Sequence, residues 1–315
     1  MGTKSERYLI MVIWLLSLIA FTGCSSMRPR PSPFVRIEGS SENFREGQII
    51  DAKSAAVISF NDLIRRLASK DLVFIGEVHD NPEHHLIQVQ ILRTLMAKHG
   101  AWDVAAEFFE KNQQPFIDKY LGGSIVEKEF LDLIEWRKKW SFDYSLYRPL
   151  ILEAKYSGNR IVAINAPGHI VRKIARTGLE SLSLDERNQI AEHIDLDDVN
   201  HREYLLEAYK IHKHRDLKKF DFFYQAQCVW EDTMAESIAS HIKGHGRKIV
   251  VFSGNGHIIY KFGIPNRSYR RARTSFATLI LQPAASTATI SRDAGDFIWL
   301  TGHCGRGPHF VRNRR

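Results

Sequence analysis

The pattern that most restricts this chain is an apolar strand closed by Gly-x-x-His, present twice. Residues 72–75 are Leu, Val, Phe and Ile, and Gly76, Glu77, Val78 and His79 follow. Residues 249–252 are Ile, Val, Val and Phe, and after Ser253 come Gly254, Asn255, Gly256 and His257. Short, unbroken apolar runs read as strands buried on both faces, the habit of parallel sheets. In open α/β sheets, ligands bind beyond the carboxyl ends of the strands. Glu77, His79, Asn255 and His257 are therefore expected at one edge of one sheet. The plainer alternative is that each motif only ties its strand to the next element. The repetition favours a shared site.

Elsewhere the chain alternates strand and helix. Further strands are expected at residues 103–106, 160–164, 275–281 and 296–300, with a short one within 51–59. Asn81 can cap and Pro82 open a helix over residues 82–99. Other helices are expected at 61–69, from Gln114 to about Leu121, over 126–140, from Arg148 through Tyr156, and from the Ser183–Glu186 capping box. Such alternation predicts an α/β fold: a mostly parallel sheet with helices on both faces. The strand-free residues 168–245 predict a helical insertion or cap, broken around residues 216–221.

Glu77, Glu107, Asn165 and Asn255 each fall just past one of the four main strands. Parallel strands would gather them. A carboxylate among imidazoles can hold a divalent metal or move protons. His79, His257 and Glu107 are thus the metal candidates, and Glu77 and Glu107 the catalytic ones if the chain is an enzyme. His79, His257, Asn255 and His85 are the candidates for cofactor binding. Of the neighbours His84 and His85, one is expected to turn toward the crevice and the other to solvent. Gln227 and Glu231, one helical turn apart, could also reach it.

The amino terminus stands apart from that fold. Lys4 and Arg7 precede an apolar run over residues 8–21, too short for a membrane span but right for a signal peptide. Phe21, Thr22, Gly23 and Cys24 resemble a bacterial lipobox. Residues 1–23 are therefore expected to be a lipoprotein signal peptide and Cys24 the lipidated residue. Residues 24–46 are expected to be a proline-broken tether, 47–300 the folded domain and 301–315 a disordered tail. Ser25 after the cysteine favours an outer membrane, with the protein facing the periplasm. A formal charge of +8 suits anionic lipid or an acidic ligand. No nucleic-acid motif appears, and an envelope address argues against that partner. Cys228 and Cys304 make neither a disulfide framework nor a zinc site.

The ordered motifs carry a family resemblance. The ten residues from Gly76 to His85, Glu107, the Tyr147-Arg148-Pro149-Leu150 segment, residues 227–235, the Gly254–His257 motif and residues 263–267 together resemble the ChaN family. These are iron-regulated, haem-binding bacterial lipoproteins, which are similar in turn to Tiki and TraB proteins and erythromycin esterases. The resemblance implies a lipid-anchored protein of the bacterial cell envelope that binds haem during haem and iron uptake. A haem shared between two copies in a homodimer would make the site partly a dimer surface. Haem iron needs an axial ligand such as His or Tyr, and the sequence selects none. The alternative implied by the wider group is a metal-dependent hydrolase using both Gly-x-x-His motifs and a glutamate, with a divalent metal on His79, His257 and Glu107.

Overall fold

Strand β5 (Leu72–Glu77) is buried at all six positions and has a parallel neighbour on each side. In the computed structural model, which describes residues 34–211, 219–284 and 288–302, these neighbours are β8 (Ile249–Gly254) and β9 (Phe276–Pro283). Beyond β8 lie β6 (Asp103–Glu110) and β7 (Ile161–Asn165), also parallel. Beyond β9 comes parallel β11 (Phe297–Thr301), then the antiparallel hairpin β3 (Ile49–Asp51) and β4 (Ala56–Ile58). The order is β4-β3-β11-β9-β5-β8-β6-β7. Every strand expected from the sequence is present. β6 and β9 run longer than expected, and β6 slips in register against β7 between Ala106 and Glu110.

The period of two in β5 divides the core. Val73 and Ile75 face a layer holding α1 (Phe60–Ala68), α2 (Pro82–His99) and α6 (Tyr144–Tyr156). Leu72 and Phe74 face Met234, Ala235 and Ile238 of α10 (Phe220–His245) and Ile264 of α11 (Ile264–Ala272). Between β6 and α6 the chain forms α3 (Gln114–Leu121), α4 (Glu127–Leu133) and α5 (Trp136–Lys139). The single helix expected over 126–140 is thus two, because Glu135 adopts a left-handed backbone with φ 49°. Helix α6 starts earlier than expected, at Tyr144, with Asp143 as its cap, and carries Pro149 inside it.

Residues 168–245 are less separate than an inserted cap. They form α7 (Gly168–Thr177), α8 (Leu184–Arg187), α9 (Val199–Ile211) and α10, and α10 itself covers one face of the sheet. Outside it, α7 packs on Ala226 and Val229, and Leu205 of α9 packs on Tyr224 and Cys228. Residues 216–218 of the expected break lie outside the described residues, and the helix resumes at Phe220.

The expected tether is corrected where it can be seen. Residues Phe34–Ile37 form β1, flanked by β2 (Phe44–Arg45) and β10 (Ala288–Ile290) in a second, three-stranded sheet. Val35, Ile37 and Phe44 are buried against Ile50, Ile298 and Leu300. The folded body therefore begins by Phe34 rather than near Gly47, because alternate apolar residues there find a core. The signal peptide, Cys24, the rest of the tether and the tail from residue 303 lie outside the described residues, and so does Cys304. Cys228 is a free, buried thiol. Among the described residues, no helix is long and apolar enough to cross a membrane.

Candidate functional site

The first Gly-x-x-His motif is held from behind. Glu77 is 3% exposed, and its carboxylate meets His79 Nδ1 at 2.7 Å. Tyr147 donates its hydroxyl to the same Glu77 oxygen at 2.9 Å, and Gln88 donates to the other at 2.8 Å. His85 Nδ1 lies 3.5 Å from that second oxygen, while its Nε2 meets the His79 carbonyl at 3.0 Å. Burial alone would raise the Glu77 pKa. The His79 hydrogen bond and the facing imidazoles outweigh it, and the net shift is downward. Burial pulls the His79 pKa down, yet Glu77 and Glu107 leave it above the ordinary value. One ring nitrogen of His79 is thus fixed, and the other lies over Gly254 at the cavity.

The second motif approaches from β8. Gly254 N–H donates to Glu107 Oε2 at 2.6 Å. His257 places Nε2 3.5 Å from Glu107 Oε1 and Nδ1 3.2 Å from Glu231 Oε1 on α10. Gly254 must be glycine here, since a Cβ would come within 2.9 Å of His79 Nε2. Burial works against the charged form of His257, but Glu107 and Glu231 more than offset it and push its pKa up to about 10. Burial would raise Glu107, but the charges of His257 and His79 take it down to about 2. At neutral pH the arrangement is an imidazolium between two buried carboxylates.

Behind Glu231 lies a second charged layer. Its Oε2 is 3.3 Å from His201 Nε2 and 3.5 Å from Arg267 Nε. Arg267, fully buried, also pairs with Asp232 and donates to the Asp195 carbonyl at 3.1 Å.

In front of the two histidines is a cavity of about 390 Å³, within the ordinary range for small-molecule sites. Trp140, Phe142 and Trp230 form much of its wall. Trp140 and Phe142 lie 5.1 and 4.8 Å from the His79 ring, and Trp230 lies 5.1 Å from that of His257. Asn165 fixes Trp230 through its side-chain oxygen and donates to the Glu107 carbonyl at 2.7 Å. Exposed Ser141 and Arg172 mark the mouth.

A family model described as haem-binding uptake, Tiki superfamily, ChaN matches residues 63–267, which include every residue lining this cavity. The chain belongs to the ChaN family. Among solved structures it is similar to ChaN of Campylobacter jejuni, described as binding haem cofacially. The identity is 20% and the TM-score 0.62, covering 80% of this chain and 95% of that one. The erythromycin esterase EreC, as a mutant in its open conformation, aligns at 12% identity and TM-score 0.46, covering 76% of each chain. A Bacillus cereus protein aligns at 15% and 0.39, covering 72% of this chain and 70% of that one. No curated protein gives a significant match.

In this ChaN chain the expected residues separate into three groups. His79, Glu107 and His257 line the cavity together. Glu77 and His85 stand one layer back, so Glu77 is a support for His79 rather than a group facing a ligand. Asn255 is turned away: it donates to the Leu281 carbonyl at 2.8 Å and packs on Gly76. Neither His84 nor His85 points to solvent. His84 accepts the Val78 N–H at 2.9 Å and meets Thr301 Oγ1 at 2.8 Å, and burial drops its pKa to about 4. The three expected metal donors, His79, His257 and Glu107, do come together at the cavity. Among the described residues, no group of three or more His, Cys, Asp or Glu is placed to hold a metal ion. His79 and His257 make ion pairs with Glu77 and Glu107, and Glu107 accepts the Gly254 N–H.

Sequence reasoning missed Trp140, Phe142 and Arg267 and gave Glu231 only a passing role. Arg267 had a signal, since it closes the 263–267 motif. The Asn255 contact supports a direct test. At Gly76 a Cβ would meet the Asn255 amide and come within 2.8 Å of Ile258 Cδ1. Gly76→Ala is expected to cost about 1–3 kcal/mol, as overpacking does in a closed core. A urea midpoint equal to that of the parent chain would show that the contact is soft.

Proposed function

We propose that this chain binds haem at the mouth of the cavity and serves haem uptake at the bacterial cell envelope. Lipid on Cys24 holds it to the outer membrane, facing the periplasm. The observation that carries this reading is that the family match encloses the whole aromatic-walled cavity. Haem is flat, apolar on its faces and anionic at one edge. Three half-buried aromatic rings and a basic lip complement that shape and charge. The Campylobacter jejuni protein, described as binding haem cofacially, supports haem as the ligand.

The hydrolytic alternative has the imidazoles and the glutamate in its favour, and proton transfer works best with groups titrating near the working pH. Against it, Glu107 and His257 face each other at 3.5 Å as a buried ion pair, and Glu231 holds the other nitrogen of His257, so both groups are committed to one another. That geometry supports binding over hydrolysis.

Haem titration of the purified chain tests the proposal. A saturable Soret shift, weakened about tenfold by Trp230→Ala as expected for losing one stacking wall, is the expected result. A spectrum no different from that of a non-binding control protein would sink it.

A further inference from the structure

A second concavity lies apart from the histidines. It encloses about 910 Å³ and shares no lining residue with the first cavity. Lys70 just past α1, Phe276 at the start of β9 and Phe297 at the start of β11 all border it. Phe276, Phe262 and Tyr260, each partly buried, give it an apolar wall. Five cations and three carboxylates line it. Arg66 pairs with Asp51, and Lys261 Nζ lies 2.6 Å from Asp296 Oδ1. Lys53 and Lys70 have no ion pair among the described residues. Arg292 donates to the carbonyls of Glu38 and Gly39, at 2.6 and 3.0 Å, rather than to an acid. The remaining carboxylate, Asp293, is exposed and faces those three cations alone.

An uncommon turn holds the wall in place. Tyr260 and Lys261, with φ 56° and 63°, are consecutive left-handed residues, and neither is glycine. Bulky residues rarely take that backbone, and where they do the surrounding structure holds them, often beside a ligand. Here the Tyr260 ring packs on those of Tyr204 and Phe262, each 5.5 Å away. Lys261 is pinned because Asp296 also accepts the Thr278 N–H at 2.9 Å and its hydroxyl at 3.1 Å. The turn thus commits Lys261 to the frame and leaves Lys53, Lys70 and Arg292 to face a ligand. An apolar wall beside surplus positive charge suits a molecule with an apolar body and an acidic head.

We propose that this groove is a second binding site, taking a small amphiphilic anion. Its carboxylate or phosphate head meets Lys53, Lys70 and Arg292, and its apolar body lies on Phe276 and Phe262. The site stands independently of haem binding at the first cavity.

The test is a titration of the purified full chain with anilinonaphthalene sulfonate, an aromatic anion whose fluorescence rises in apolar surroundings. A saturable rise is expected, and Lys53→Glu combined with Lys70→Glu should weaken it about tenfold through lost charge contacts. The melting temperature of that variant should stay at the parent value, since neither ammonium has a partner to lose. Trp230→Ala, in the first cavity, should leave the titration unchanged. Decanoate is expected to displace the probe and decanol is not, because the head is read. Dihexanoyl phosphatidylglycerol, kept below its micelle concentration, separates the sources of that head. Displacement by it as well as by decanoate supports the site with a membrane lipid as ligand, and displacement by decanoate alone supports it with a free acid. Equal affinity in the lysine variant, equal displacement by decanol, or displacement by none of these molecules overturns the site. Loss of the titration in Trp230→Ala would put the probe in the first cavity and overturn it as well, leaving the haem reading untouched.

Discussion

Arg267→Met is expected to destabilise the fold by about 3–5 kcal/mol, the usual cost of breaking a buried ion pair by removing one partner. Arg267 is fully buried, and so are the carboxylates it serves, Asp232 and Glu231. Its NH1 pairs with Asp232 and donates to the Asp195 carbonyl at 3.1 Å. Its NH2 reaches His201 Nδ1 and Cys228 Sγ, each at 3.3 Å. Methionine fills similar space but leaves the two acids without their shared cation. Asp232 would keep Arg271 and the Asp195 N–H, each at 2.9 Å. Lysine should rescue little, because a point charge cannot reproduce a fork that touches five groups. Adding Asp232→Asn to Arg267→Met should recover part of the loss, since the uncompensated charge is then gone. Urea unfolding measures all three variants. A loss below about 1 kcal/mol for Arg267→Met would mean that water or rearrangement replaces the guanidinium, contrary to a closed network.

That network also marks the limit of what the sequence discloses. The central strands were legible because four consecutive apolar residues between polar turns have few other ways to be buried. The meeting of His79, Glu107 and His257 followed from the same fact, since parallel strands bring their carboxyl ends to one edge. Side-chain direction was not legible. Glu77 and Glu107 look alike in sequence, each an acid near a strand end. One is turned back onto Tyr147 and Gln88, and the other lies between the histidines. Asn255 looks like a ligand beside His257, yet the space opposite Gly76 takes its side chain and the Leu281 carbonyl its amide. Trp140 and Phe142 line the cavity after a left-handed turn at Glu135 has broken the helix, and nothing in the local composition announces that turn. Residues 34–37 looked like part of a tether because their partner strand, Ala288–Ile290, lies some 250 residues away.

The ion pairs around His257 should make stability depend on pH with a defined sign. The folded pKa of His257, about 10, lies above its ordinary 6.5, so its contribution is complete below pH 6.5 and is lost as pH rises toward 10. His79 is raised as well and acts in the same direction. Glu107 lies at about 2, below its ordinary 4.5, so its contribution is complete above pH 4.5 and is lost as pH falls toward 2. Stability from these groups is therefore greatest between pH 4.5 and 6.5. One pKa unit corresponds to about 1.4 kcal/mol, which makes the alkaline loss on the order of several kcal/mol, shared between the imidazole and its two carboxylates. Glu107→Gln keeps an acceptor for the Gly254 N–H but removes the first attraction that holds the proton on His257. Urea unfolding in the parent chain should give a clearly lower stability on the alkaline side of this window than inside it, and the variant should show a shallower fall. An equally steep fall in Glu107→Gln would assign the alkaline loss to other groups and leave His257 without its place between two carboxylates.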